Sequence, residues 1–311
     1  MPFKYLKSFN KQLLILAVVV AISIYVLLPQ LSSFSSSWHM LKHLDTTYVL
    51  IAICLSFITY LFAAATYYWL AFKPLEYVKS ILIQLAAMFA NRILPAGSGA
   101  LGVNYLYLKK QKHTNAQATS IIAINNLLGF IGHGIILIVL VTVIPGVKLS
   151  LKDVRFDPTI VLVGMTGAAL ILLLVYKIAN LRIKKAFLNI KIQITSFNKR
   201  PQRVLLALLS SMALTLVNVL TLYFCALALH ININLADLII IFTFGITAST
   251  AVPTPGGLGG FEAGLAAGFI LYGIGNSAAL TIAVLYRLIT YWLSVVIGAA
   301  ALIYAKKRHY I

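Results

Sequence analysis

Asn91–Arg92–Ile93–Leu94–Pro95–Ala96–Gly97–Ser98–Gly99–Ala100–Leu101–Gly102 and, 158 residues later, Ser249–Thr250–Ala251–Val252–Pro253–Thr254–Pro255–Gly256–Gly257–Leu258–Gly259–Gly260 interrupt two otherwise apolar segments, 81–108 and 235–272. Proline removes a backbone donor and glycine permits sharp turns, so neither segment continues as one helix. At membrane depth a broken backbone survives only where protein or a water-filled cavity satisfies it. Each segment is therefore expected to form a re-entrant helical hairpin that leaves the bilayer on its side of entering.

The rest of the chain places these breaks in a membrane. Hydrophobic residues make up 61% of the 311 and charged residues 10%, too few charges to cover a water-soluble fold of this size. Apolar runs at Leu13–Leu31, Tyr48–Phe72, Ser120–Ile144, Thr159–Tyr176, Val204–Leu229 and Ala278–Tyr304 each suffice for one crossing of a hydrocarbon core about 30 Å thick. The first follows Lys4, Lys7 and Lys11 in the manner of a signal peptide, but it is long for one and no small-residue cleavage site follows it. The expected fold is an all-α polytopic membrane protein of six full spans plus two re-entrant hairpins arranged as an inverted repeat. Residues 1–311 then form a single transmembrane domain with repeats of about 1–146 and 147–311.

Charge counting supports that topology. With both breaks as hairpins and the N-terminus inside, the inner loops hold 19 of the 25 Lys and Arg residues. The outer loops hold Lys42, Lys148, Lys152 and Arg155, and Arg92 and Arg287 fall within membrane segments. Reading either break as a full crossing sends strongly basic loops outward, against the positive-inside rule. The expected location is the cell (plasma) membrane, multi-pass, with both termini cytoplasmic. An odd number of crossings per half inverts the second half relative to the first. Pro95 aligns with Pro253, Gly99 with Gly257, Gly102 with Gly260, and Asn104 with Glu262.

The net charge of +19 is read as anchoring to anionic headgroups rather than as a nucleic-acid surface, since no sizeable soluble domain accompanies it. The basic segment 177–203 interleaves Lys and Arg with Ile178, Leu181, Phe187, Leu188 and Ile192, as an amphipathic stretch on the inner leaflet would. Cys54 and Cys225 lie in apolar runs and form neither a disulfide framework nor a metal cluster. Neither Gly-rich stretch has the spacing of a nucleotide loop. No cofactor and no metal are expected.

Ionisable residues at membrane depth cost about 2.5–3.5 kcal/mol each on insertion scales and are functional suspects. Three qualify: Arg92 at the first break, Glu262 just after the second, and Arg287 within the last run. Glu262 and Arg287 can form a structural pair, contact a ligand, or do both; Arg92 has no acid nearby in sequence. A planar guanidinium suits a phosphate. Asn91, Ser98, Asn125 and Tyr286 are the polar residues expected to join them in substrate binding. Pro95, Gly97, Gly99, Pro253, Pro255, Gly256, Gly257 and Gly259 are expected to form the hairpin turns. Gly260, Gly264 and Gly268 recur on one helix face and are read as a tight helix contact. His133 is read as an interhelical hydrogen-bonder. Trp38 and Tyr48 are read as interface anchors.

The first break, the block Pro253–Thr254–Pro255–Gly256–Gly257–Leu258–Gly259–Gly260–Phe261–Glu262, and Tyr286–Arg287–Leu288 ahead of Trp292 together resemble the lysylphosphatidylglycerol synthase transmembrane-region family, the flippase-type membrane domain of the multiple peptide resistance factor. The resemblance covers nearly the whole chain. It implies a lipid-translocating unit with Arg92, Glu262 and Arg287 at its polar centre. The aminoacyl-transferase domain of fused members has no counterpart here.

The expected function is a lipid flippase moving a phospholipid or lipid-linked headgroup between leaflets, and not an enzyme. Its partners are membrane lipids, with an anionic headgroup; self-association is left open. An integral-membrane transferase acting on a lipid or polyprenyl phosphate is the alternative, although paired carboxylates, an activated nucleophile and a metal cluster are all missing from the sequence pattern.

Overall fold

The computed structural model describes residues 44–94, 97–143, 197, 199–251, 254 and 256–311. Regular structure among them is entirely helical. In order come α1 (Thr46–Leu70), α2 (Tyr77–Ile93), α3 (Ser98–Lys110), α4 (Asn115–Val143), α5 (Pro201–Ala228), α6 (Leu235–Ala251), α7 (Gly260–Leu271) and α8 (Asn276–Lys307). Helix α8 runs continuously through a π-helical turn at Leu288–Trp292.

Of these eight, four are long and apolar enough to cross a membrane: α1, α4, α5 and α8. That corrects the expectation of six full spans plus two re-entrant hairpins in an inverted repeat. The four correspond to the runs at 48–72, 120–144, 204–229 and 278–304. The runs at 13–31 and 159–176 lie outside the described residues, with Trp38, Lys42, Lys148, Lys152, Arg155, Pro95, Pro253 and Pro255. So does segment 177–203, apart from 197 and 199–203. The two broken segments form pairs of short helices, α2 with α3 and α6 with α7. A 17-residue helix such as α2 is about 25 Å long, short of a full hydrocarbon core.

The helix ends follow local chemistry. Asp45 caps α1, its carboxylate accepting from the Thr47 N–H at 2.8 Å. Pro201 occupies the first turn of α5, where its missing donor is not needed. Lys112, His230 and Gly273 take positive φ just beyond α3, α5 and α7. The next residue in each case returns an N–H to a carbonyl of the last turn: His113 to Leu108, Ile231 to Ala226, Ile274 to Phe269. These are left-handed C-terminal caps, adopted twice by residues other than glycine.

Helices α1 and α5 lie along one another, and two apolar clusters fill opposite ends of the bundle. One cluster joins α1 and α5 to α6, α7 and the first part of α8 around Leu222, Ile241, Phe269 and Ile282. The other joins the end of α1, α2, α3, the first part of α4 and the last part of α8 around Leu70, Ile83, Leu108 and Ile121. Small residues set the closest crossings. A Cβ on Gly264 would stand 2.5 Å from the Phe244 carbonyl of α6, and one on Gly268 3.0 Å from Ile241. On α8, a Cβ at Gly298 would meet the Leu85 carbonyl of α2 at 2.6 Å. The spacing of Gly264 and Gly268 thus serves the α6–α7 contact, as its periodicity suggests.

The two ends differ in charge. At one, the Lys73 N–H donates to His113 Nε2 at 3.2 Å, the tilted rings of Phe72 and Phe197 meet with centroids 4.7 Å apart, and Lys79 lies 5.1 Å from the Tyr310 ring. Every described Lys and Arg other than Arg92 and Arg287 belongs to this end. At the other, the Asp45 N–H donates to the Ala228 carbonyl, and Leu44, Ile231 and Ile274 each pack against the first cluster, with no described Lys or Arg.

Candidate functional site

Between the two apolar clusters lies a cavity of about 880 Å³. The turns that follow α2 and precede α7 both reach it, and both meet α8 at its π-helical turn. From the first, the Arg92 Nη2 donates to the Thr290 carbonyl at 3.3 Å. From the second, the carbonyls of Gly256 and Gly257 accept from the Arg287 Nη2 at 3.1 and 2.9 Å. A π turn inserts one residue into the helical ladder and redirects the side chains around it, a distortion that recurs at functional sites. Here it places Tyr291 beside both guanidinium groups, with Cζ of Arg92 4.5 Å and Cζ of Arg287 5.3 Å from the ring centroid.

The two arginines differ in how they are neutralised. Arg287 is buried, its Nε 2.8 Å from Glu262 Oε1, although that N–H is not aligned for a hydrogen bond. Its guanidinium also rests 4.4 Å from the Phe261 ring. The second carboxylate oxygen of Glu262 accepts from the Gly259 N–H at 2.8 Å, so this residue caps the helix it sits in. Anion docking at the start of α7 is therefore already supplied by the chain's own carboxylate. Arg92 has no acid within salt-bridge distance among the described residues, and its Nε is buried without a hydrogen-bond partner. The Oδ1 of neighbouring Asn91 is likewise buried and unpartnered. Arg92 is the uncompensated charge of the cavity.

Of the expected site residues, Asn91, Arg92, Asn125, Tyr286 and Arg287 line the cavity. Glu262 stands behind Arg287, and Ser98 opens α3 without joining the lining. Among the turn residues, Gly97, Gly256 and Gly257 contribute to the wall, and all three have positive φ. Gly259 also has positive φ and caps α7. Gly99 is required for a different reason: a Cβ there would overlap the Ala90 carbonyl where α3 crosses the end of α2. His133 Nε2 lies 3.1 Å from the Thr243 hydroxyl, joining α4 to α6 as an interhelical hydrogen bond.

Sequence reasoning missed several wall residues. Gln84 Nε2 donates to Asn104 Oδ1 at 2.8 Å across the α2–α3 interface, both residues buried. On α5, Asn218 accepts from the Tyr286 hydroxyl at 3.1 Å. Ser56, Thr59, Tyr60, Thr66 and Tyr67 form a polar stripe along α1. Their spacing is helical, and that period was the available signal.

Residues 14–298 match the family described as the lysylphosphatidylglycerol synthase TM region. A comparison with curated proteins returned no match.

Proposed function

Because the chain belongs to the lysylphosphatidylglycerol synthase transmembrane-region family, we infer that it is a flippase-type lipid transporter, carrying a phospholipid or lipid-linked headgroup between leaflets through this cavity. It is a multi-pass membrane protein with lipids as its partners. The match is to the transmembrane region, so the chain is read as a transporter and not as the transferase kept as the alternative.

A single observation carries the site assignment: a half-buried arginine without an acid among the described residues, Arg92, its Nε buried and unpartnered, in a polar cavity between apolar clusters. Holding such a charge at depth is unfavourable unless an anion joins it for part of the cycle. A headgroup phosphate supplies that anion, and the guanidinium plane suits it. Arg92 is then the primary anchor, since Nε and Nη2 of Arg287 already hold Glu262 and the Gly256 and Gly257 carbonyls. Asn91, Asn125 and Tyr286 complete the first contacts. Ser98 is assigned to holding the α3 start rather than to binding.

By the positive-inside rule the basic end is assigned to the cytoplasm with residues 305–311, and Lys4, Lys7 and Lys11 favour the same side for the N-terminus. Residues 1–311 act as one transmembrane domain in the plasma membrane. Purified protein in liposomes carrying an acyl-labelled anionic phospholipid should speed exposure of the label to a membrane-impermeant quencher, and Arg92→Gln should remove most of that gain. Equal rates with and without wild-type protein would refute transport.

A further inference from the structure

We propose that Tyr291 is a positioning residue for headgroup capture: its ring fixes the Arg92 guanidinium at the cavity wall without itself meeting the lipid. The proposal rests on the transporter reading and adds the residue that keeps its anchor in place.

Arg92 needs such a partner. An arginine side chain has several rotatable bonds and keeps one direction only where its contacts outweigh the lost freedom. Arg287 is fixed by Glu262, by the Gly256 and Gly257 carbonyls and by the Phe261 ring. Arg92 has no acid among the described residues, and its Nη2 reaches the Thr290 carbonyl only at 3.3 Å, long for an N–H···O bond. Tyr291 supplies what is missing. Its ring centroid lies 4.5 Å from the Arg92 guanidinium carbon, inside the range of a cation–π contact. A Cβ on Gly256 would stand 2.6 Å from the Tyr291 ring and 3.0 Å from Arg92 Cδ, so the second break presses on the ring and on the arginine stem together.

Tyr291 is itself well held. It is 2% exposed, packs against Trp292 with ring centroids 5.2 Å apart, donates its hydroxyl to the Arg92 carbonyl, and its own carbonyl accepts from the Ser294 hydroxyl at 2.7 Å. Arg92, Gly256 and Thr290 line the cavity and Tyr291 does not, so the ring acts on the anchor and not on the headgroup. An aromatic face attracts a cation through its quadrupole, without the oxygen acceptors that an acid would set on the N–H groups. A phosphate needs those N–H groups. Tyr291 therefore restrains Arg92 without neutralising it. The same centroid lies 5.3 Å from the Arg287 guanidinium carbon, so one neutral ring partners both cations. With a weaker ring contact, Arg92 occupies the binding arrangement for a smaller fraction of the time, and apparent affinity falls by that fraction.

The test uses the full chain in proteoliposomes and reads label exposure against the mole fraction of an acyl-labelled lipid. Phosphatidylglycerol and its lysyl ester are tried in turn, since both carry the phosphate, and the one moved faster is kept. The variants are Tyr291→Phe, Tyr291→Leu, and phenylalanine analogues at the same position carrying one, two or three ring fluorines. Fluorine drains charge from the ring face while its shape barely changes, so it weakens the cation contact and spares the packing. The half-saturating mole fraction should rise stepwise with each fluorine, at least about fivefold over the series, while the limiting rate and the melting temperature hold. Tyr291→Phe should stay within about threefold of wild type, and Tyr291→Leu should raise the half-saturating fraction at least about tenfold. A flat fluorine series in folded protein overturns the proposal and makes Tyr291 a packing residue. So does a loss in Tyr291→Phe as large as that in Tyr291→Leu, which would assign the effect to the hydroxyl. If wild type moves neither lipid, transport itself fails and the positioning role fails with it.

Discussion

Arg92 and Tyr291, nearly two hundred residues apart, hold each other at two points. The guanidinium carbon lies 4.5 Å from the ring centroid, and the Tyr291 hydroxyl donates to the Arg92 carbonyl at 3.3 Å. The end of α2 is thereby attached to the π-helical turn of α8. The attachment uses a ring face and a backbone carbonyl, and leaves Arg92 without an anionic partner among the described residues.

Arg92 should therefore matter to transport more than to stability. With Arg92 as the proposed phosphate anchor, Arg92→Gln should cost a charged contact worth about 1.5–3 kcal/mol, a tenfold to hundredfold fall in rate. It also removes the burial penalty of an unpaired cation, so thermal stability in detergent should hold within about 1 kcal/mol. Parallel transport and unfolding measurements check both halves. A large stability loss without a rate effect would make Arg92 a structural residue.

Glu262 should show the opposite balance. Glu262→Gln keeps an oxygen for the Gly259 N–H but leaves Arg287 buried and unpaired, at about 3 kcal/mol or more. Replacing both, Glu262→Gln with Arg287→Met, should recover much of that stability while transport stays low. A double-mutant cycle in denaturant titrations measures the coupling. Additive losses would mean that the pair does not pin α7 to α8.

These two predictions concern residues that the sequence revealed, and the reason is energetic. A charged residue in an apolar run is conspicuous wherever the helix happens to face, so Arg92, Glu262 and Arg287 could be found without a fold. Turn glycines are equally visible, because Gly97, Gly256, Gly257 and Gly259 adopt backbone angles that other residues resist. Gln84, Asn104 and Asn218 were not legible in the same way. A carboxamide in a membrane helix is ambiguous until its face and its partner are known, and those partners come from other helices. Ser98, expected in binding from its place in the Gly-rich break, lies at the first position of α3 and outside the cavity lining. The number of crossings differs for a further reason: four of the six apolar runs become helices long and apolar enough to cross, α1, α4, α5 and α8, and the runs at 13–31 and 159–176 lie outside the described residues. The π turn at Leu288–Trp292 has no local signature; it follows Arg287 directly, and Arg92 donates to the Thr290 carbonyl within it.

His113 predicts a pH dependence at the basic end. Its Nδ1–H donates to the Leu108 carbonyl at 3.1 Å, and its Nε2 accepts from the Lys73 N–H, so the fold requires the neutral ring. Burial, with Lys73 nearby, holds its pKa below the ordinary 6.5. As pH falls, the unfolded chain takes the proton first. Stability should be full above about pH 6.5 and should decline as pH drops from there towards the lower folded value. His113→Gln should lower stability at neutral pH and flatten the profile between pH 7.5 and 5. Melting temperatures across that range provide the check, and a wild-type profile that matches the variant's would remove His113 as the cause.

Two glycines three residues apart on α3 give a sharper test of how the first broken segment is built. At Gly99 a Cβ would overlap the Ala90 carbonyl and press on the Asn91 backbone nitrogen, both backbone atoms that cannot swing aside. Gly99→Ala must therefore push the start of α3 away from the end of α2. Overpacking of this kind costs about 1–3 kcal/mol or more. Because Asn91 and Arg92 sit at the displaced end, transport should fall together with stability. At Gly102 nothing lies within 4 Å of a Cβ, and the residue is helical. Gly102→Ala should then raise stability by up to about 1 kcal/mol, since alanine loses less backbone freedom on entering a helix. Unfolding and transport measured on the two variants side by side distinguish a crossing constraint from a general need for small residues. If Gly102→Ala proves as damaging as Gly99→Ala, the contact between Gly99 and the Ala90 carbonyl is not what holds α2 and α3 together.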